Sequence, residues 1–428
     1  DDASAKAGRG LASGRKWVRL GRDEVAVWGE CQGSGSKPYQ VQIDLSEPAF
    51  KCTCPSRKFP CKHGLGLFLL TETEAGAFKA EAQPQWVAEW IRVRSEKSAR
   101  KSEKVRVEAE TPPDPAAQAK RAAERAKKVA GGMQELERWL QDLVRHGLAN
   151  VQQRADGGGF EKCAARMIDA QAPGAARLLR EMSVIPATGD GWHSRLLERA
   201  GRLHLLVEGY KRVDTLPPPL AADVRLLVGF TQNQDELLAT GEPVRDKWLV
   251  VGQRVEEEER LRVQRTWLWG QNGRRGALVL AFAHVSQSLD TSLVVGTALD
   301  ASVVYFPGAY KQRALVKERH EPPDAVDSLR GYESTRAATA AYGAALAQNP
   351  WIERFPMAFS AVVPVRRGED RWAVVDAEGR SLPLSPRFTK AWELLALSGG
   401  WPVGLFGEWD GEELLPLGAF AEERFVPL

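Results

Sequence analysis

Residues 52–63 read CTCPSRKFPCKH and hold three of the chain's five cysteines and one of its six histidines. No other stretch limits the fold so tightly. Cys52-x-Cys54, six residues, then Cys61-x-His63 offers four soft ligands, the number a closed tetrahedral site needs. Thiolates with a neutral imidazole suit Zn2+, whereas hard cations take carboxylates and iron–sulfur clusters mostly take cysteine alone. In an extended segment residues two apart face the same side, so both sulfurs of the first pair reach one metal. Within a helix a two-residue step turns side chains to nearly opposite sides. Cys61 and His63 are therefore expected at or just before a helix start, and Leu65-Gly66-Leu67-Phe68-Leu69-Leu70 follows at once. Pro55 stiffens the exit from the first pair, and Pro60 keeps Phe59 extended before the second. All four positions are filled by near neighbours and no Glu is placed as a base, so one structural zinc ion is expected. The rival reading is a disulfide between two of the cysteines with a bystander histidine. An odd, clustered cysteine count argues against a secreted disulfide framework, and reduced thiols favour a cytoplasmic setting.

At 428 residues the chain exceeds what one core usually holds. A formal net charge of +3 announces neither nucleic acid nor membrane for the chain as a whole. No run approaches the roughly 20 apolar residues of a membrane span, and the first residue is Asp1, so a trimmed start stays open.

The fold class expected is α+β: a small zinc-stabilised ββα module, a helical middle and a β-rich C-terminal region. Residues 1–93 form the first part. Lys16 to Leu20 and Glu24 to Trp28 alternate as strands, Gly33 to Ser36 is a loop, and Tyr39 to Ile43 is a further strand. Leu65 to Glu74 and Trp86 to Val93 read as short helices. Residues 94–114, basic and ending in prolines, have linker composition. Residues 115–215 turn helical, with Leu136, Trp139, Leu140, Leu143 and Val144 on one face and Gly147 as a stop. Phe160, Cys163, Ala164, Met167 and Ile168 form a second such face, and Leu196, Leu197, Ala200, Leu203 and Val207 a third. From LPPPL (216–220) onward the pattern is mainly β to residue 428, interrupted by a helix over about Ser334 to Leu346.

The pattern C-x-C-x6-C-x-H, entered from a strand at Ala49-Phe50-Lys51-Cys52 and followed by a small-residue and leucine helix, resembles the SWIM zinc finger family. The resemblance covers residues 16 to 75 and implies a β-β-α frame. Together with MIDAQAPGAARLLREM (167–182), the layout resembles bacterial SWIM-containing proteins encoded beside MoxR-type AAA+ ATPases and von Willebrand A-domain proteins. It implies a protein partner, with an AAA+ ATPase or VWA-domain protein as the candidate, and no known reaction.

Arg57, Lys58 and Lys62 surround the ligands, and with the basic linker they give an alternative function, DNA or RNA binding through phosphate contacts. A solvated basic loop is the plainer account. An enzyme with its site in the C-terminal half is the third reading, and the chain is not expected to be one. The sequence contains no phosphate loop, nucleophile elbow or H-E-x-x-H helix. Cys163 reads as a buried cysteine, and Cys31 as a substitute ligand at most. His193 and His204 share a helical face without metal partners, and Trp267 with Trp269 shares a strand face suited to core packing.

Overall fold

The computed structural model describes residues 2–32, 37–45, 49–56, 60–95, 115–153, 157–258, 261–284, 287, 289–368 and 371–428. They fall into two units, residues 1–118 and 119–428.

In the first unit the alternating segments become β1 (Trp17–Arg22), β2 (Ala26–Cys31), β3 (Tyr39–Asp44) and β4 (Ala49–Cys52). They pair antiparallel in chain order, and β5 (Lys79–Ala80) joins the far side of β1 in parallel. The helices are α1 (Asp2–Arg9), α2 (Lys62–Thr73) and α3, over residues 85–95. Period-two alternation sorts the strand residues onto two buried faces. Val27, Cys31, Val41 and Ile43 meet Leu67 and Leu70 of α2, while Ala26 and Trp28 meet Val87 of α3. Arg94 of α3 reaches back to the buried Asp44 at 3.0 Å.

Sequence patterning did not find α1, because DASAKAGR carries no large apolar residue. Its place depends on small residues instead. A Cβ on Gly66 would sit 2.7 Å from Leu11 Cβ, so glycine lets α2 touch the end of α1. The Gly33 to Ser36 loop lies outside the described residues. So does the linker beyond residue 95, while residues 94 and 95 close α3.

The second unit takes in most of α4 (Pro115–Arg145), then α5 (Phe160–Asp169), α6 (Pro173–Ser183) and α7 (Trp192–Lys211). Their apolar faces, among them Leu136, Leu140, Phe160, Leu179, Leu196 and Leu203, form one core. Gly147 has φ +84, as a stop residue should. The mainly β region expected from residue 216 starts later, after α8 (Pro218–Val228) and α9 (Gln234–Thr240). Pro218 opens α8 in its first turn, where a missing N–H costs nothing. The prolines that read as a break are a helix start.

Beyond α9 lie β6 (Pro243–Glu258), β7 (Leu261–Gly270), β8 (Gly276–His284), β9 (Thr297–Tyr305) and β10 (Ala314–Arg319), in the order β10-β9-β6-β7-β8. The sheet curls until its edges meet, where the Leu278 N–H donates to Gln312 O at 2.7 Å. A short β11 (Asp324–Ala325) pairs with β9. After α10 (Thr335–Gln348) come β12 (Phe355–Arg366), β13 (Trp372–Val375), β14 (Ser381–Pro383), α11 (Ala391–Ser398), β15 (Val403–Trp409), β16 (Leu414–Ala421) and β17 (Arg424–Pro427). These strands form a sheet in the order β14-β13-β12-β15-β16-β17.

The two sheets pack face to face. Leu249, Val251, Trp267 and Trp269 of the first meet Phe406 and Leu417 of the second, while Trp248 and Val250 point into the curl. Burial on both faces explains the unbroken run Trp248-Leu249-Val250-Val251. Trp267 Nε1 donates to Glu408 Oε1 at 2.7 Å and Trp269 Nε1 to Arg330 O at 2.7 Å, so both indoles are satisfied in the core.

Candidate metal centre

The last residue of β4 is Cys52, and Cys54 follows two residues on. Across from them Cys61 is the residue capping α2, with extended backbone (φ −76, ψ 168), and His63 is the second residue of the helix. The two-residue step at Cys61 and His63 is thus resolved at a helix start, as the spacing required. β3 and β4 pair from Val41↔Cys52 to Asp44↔Ala49, which fixes the height at which Cys52 stands over α2.

The four ligand atoms lie within 4.8 Å of one another. Cys52 Sγ is 3.9 Å and Cys61 Sγ 4.0 Å from His63 Nδ1. Zinc–sulfur bonds of about 2.3 Å and zinc–nitrogen bonds of about 2.0 Å place ligand atoms roughly 3.6–3.8 Å apart in a tetrahedron. Those two separations fit one zinc ion after a contraction of a few tenths of an ångström, and the widest in the set, up to 4.8 Å, after about one. Cys61 and His63 are buried, and Cys52 and Cys54 half-buried. All five cysteines are free thiols, so the disulfide reading fails. Hydrogen bonding from Cys52 and then from His63 holds the Cys61 thiol far below the usual range, so one thiolate is already favoured there. The helix N-terminus also favours that negative charge.

Small and aromatic residues shape the surroundings. The Tyr39 ring stands 5.1 Å from the His63 ring. A Cβ on Gly64 would lie 3.2 Å from the Phe50 ring, so a larger residue would press on β4 beside the ligands. Phe50 in turn meets Phe68 of α2 edge-on at 6.1 Å. Sequence reasoning did not single out Tyr39, Phe50 or Phe68. Only the paired glycines of HGLGLFLL hinted that this helix is closely approached.

Four ligands on a β-β-α frame define a zinc finger. Two family models match the chain, the SWIM zinc finger over residues 39–72 and the SWIM-associated four-helix bundle domain over residues 124–228. The chain is a SWIM domain-containing protein, with β3, β4 and α2 as the finger and most of α4 through α8 as the associated bundle. A domain of this kind serves zinc binding and protein or nucleic-acid interaction. No curated protein and no solved structure matches the chain.

Lys62 is exposed at the first position of α2, and Arg57 and Lys58 lie outside the described residues. Cys31 stands apart from the four ligands, its sulfur 3.6 Å from Lys16 O, and burial raises its thiol. Cys163 is buried in the helical core, which pushes its thiol up to about 12. His193 and His204 are exposed on α7, with His193 stacked on Trp192 at 3.8 Å. Among the described residues no helix is long and apolar enough to cross a membrane.

Proposed function

We propose that this protein works by binding rather than by catalysis, with its zinc finger organising a surface for a protein partner. The observation that carries the reading is Phe68, 46% exposed on α2 and packed against Phe50 beside the ligand cluster. Zinc would join the strand that carries Phe50 to the helix that carries Phe68. A large aromatic side chain held in a fixed place at the surface can anchor a partner. The resemblance to SWIM proteins encoded with MoxR-type AAA+ ATPases and VWA-domain proteins makes such a protein the specific partner proposed. Thiolate ligands favour the cytoplasm as the compartment.

The geometry of the C-terminal half supports binding over catalysis. His320 Nε2 lies 2.8 Å from Ser302 Oγ, but the Glu318 carboxylate is 4.0 Å from His320 Nδ1, too far for a hydrogen bond. Ser302 is buried in the middle of β9, which is paired on both sides by β6 and β10. The strand ladders thus occupy the backbone around Ser302, where a nucleophile would need free N–H groups for an oxyanion. An open cleft of about 390 Å³ is lined by Arg245, Asp246, Lys247, Asn272 and Asp300, among others. Four of its charged side chains are already engaged. Asp246 accepts from Asn272 and Gly273 N–H, Arg245 pairs with Asp300, and Lys247 pairs with Asp327.

The test is a pull-down from a native lysate with the wild type, Cys54→Ser and Phe68→Glu. Both variants are expected to lose the same partner, while Phe68→Glu keeps its zinc. Retention of that partner by Phe68→Glu would sink the surface, and retention by Cys54→Ser would remove the role of zinc.

A further inference from the structure

We propose that the N-terminal half of α4 is an arm that binds duplex DNA, lying in the major groove with its cations on the phosphates. Among the side chains described from Ala119 onward, Arg125 is the first to meet the bundle. Arg125 Nη2 donates to Gly229 O at 2.9 Å and its guanidinium lies 4.6 Å over the Phe230 ring, and the first buried residue after it is Val129. Ahead of that anchor every residue from Ala119 to Glu124 is exposed, and so are Ala126, Lys127 and Lys128.

The stretch AKRAAERAKK, residues 119 to 128, carries five cations and one carboxylate. Lys120 and Lys127 are seven residues apart, and so are Arg121 and Lys128, so each pair forms a rung of one row about 10 Å long. The rows flank Glu124 on the side away from the bundle. None of these four cations has an ion-pair partner among the described residues. The rest of the surface is alanine, at 119, 122, 123 and 126.

That composition selects the partner. A protein interface is anchored by aromatic or large aliphatic side chains, and a helix lying on a membrane needs a bulky apolar face. This arm has neither. Phosphate contact needs only cations. A helix with such short side chains is slim enough for the major groove, about 12 Å wide, whereas the deep, narrow groove of duplex RNA excludes it. Alanine also explains how an exposed segment stays helical, since no residue favours the helix more. This surface is separate from Arg57, Lys58 and Lys62, and the proposal does not rest on the protein-partner reading.

The experiment measures anisotropy of a labelled 20-base-pair DNA duplex with full-length zinc-loaded protein across a salt series. Four phosphate contacts predict a slope of log K against log salt near −3.6, about a hundredfold loss between 50 and 200 mM. The variant Lys120→Ala/Arg121→Ala/Lys127→Ala/Lys128→Ala keeps the helix, so its binding should drop at least tenfold at 50 mM with most of the slope gone. Phe68→Glu should bind as the wild type does, which separates this result from the partner test. Unchanged binding by the quadruple variant overturns the proposal. So does a loss seen only with Lys62→Ala, or no binding to the duplex at low salt. Equal or tighter binding to duplex RNA, polyglutamate or anionic vesicles overturns it as well.

Discussion

Cys61 holds two positions at once, the cap of α2 and a corner of the metal site. Its backbone leaves the extended region as the helix begins, and its sulfur carries the negative charge that the helix terminus favours. Removing any one sulfur leaves three ligands, too few for a closed site. Cys54→Ser is therefore expected to cut zinc from one ion per chain to well under half, measured by elemental analysis after gel filtration. Cys163→Ser, a change at a buried cysteine outside the cluster, should keep the full ion. The ligands were legible because C-x-C and C-x-H are local patterns whose geometry follows from strand and helix periods. Tyr39, Phe50 and Phe68 were not, because they gain their roles only where β3 and β4 meet α2, and no spacing within any one element records that meeting.

At the scale of elements, periodicity found most strands and helices and failed where small residues or prolines set the outcome. α1 depends on Gly66 for its seat, and α8 starts on the prolines that resembled a boundary. α8 also shows how an element is fastened to a distant loop. Its Asp223, 6% exposed, accepts the Ala309 N–H at 2.8 Å, and burial pushes its carboxyl up to about 6. The folded state thus holds this proton more tightly than the unfolded chain, whose aspartates titrate at about 3.9. Its contribution to stability is full below about pH 4 and is lost as pH rises through about 6. Asp223→Asn keeps an acceptor for Ala309 without the ionisation. It should raise stability at pH 7 by about 1–3 kcal/mol and flatten the pH dependence between 4 and 6, as read by urea unfolding at several pH values.

The whole molecule divides into units with separate cores. Metal binding in small zinc modules contributes about 10–16 kcal/mol of apparent folding free energy. Here that contribution belongs to the first unit alone. Calorimetry of the chelated protein is expected to show one transition lowered or lost, while the transition of the helical and two-sheet unit keeps its Tm. A common shift of both would mean that the units unfold together. Within the second unit the sequence shows a helical period followed by alternating apolar runs. It did not announce that the two C-terminal sheets stack, because that depends on which faces of β6, β7 and β15 look at each other.

The ion that joins the end of β4 to the start of α2 has one more effect. Six residues separate Cys54 from Cys61 in the sequence, and both ends of that stretch are ligands. Their ends are clamped whatever lies between them. Lengthening such a loop costs only about 0.6 kcal/mol per doubling. The finger is in this sense a socket, where new recognition residues can be spliced in by mutation or by design while the strands and helix that hold them stay as they are.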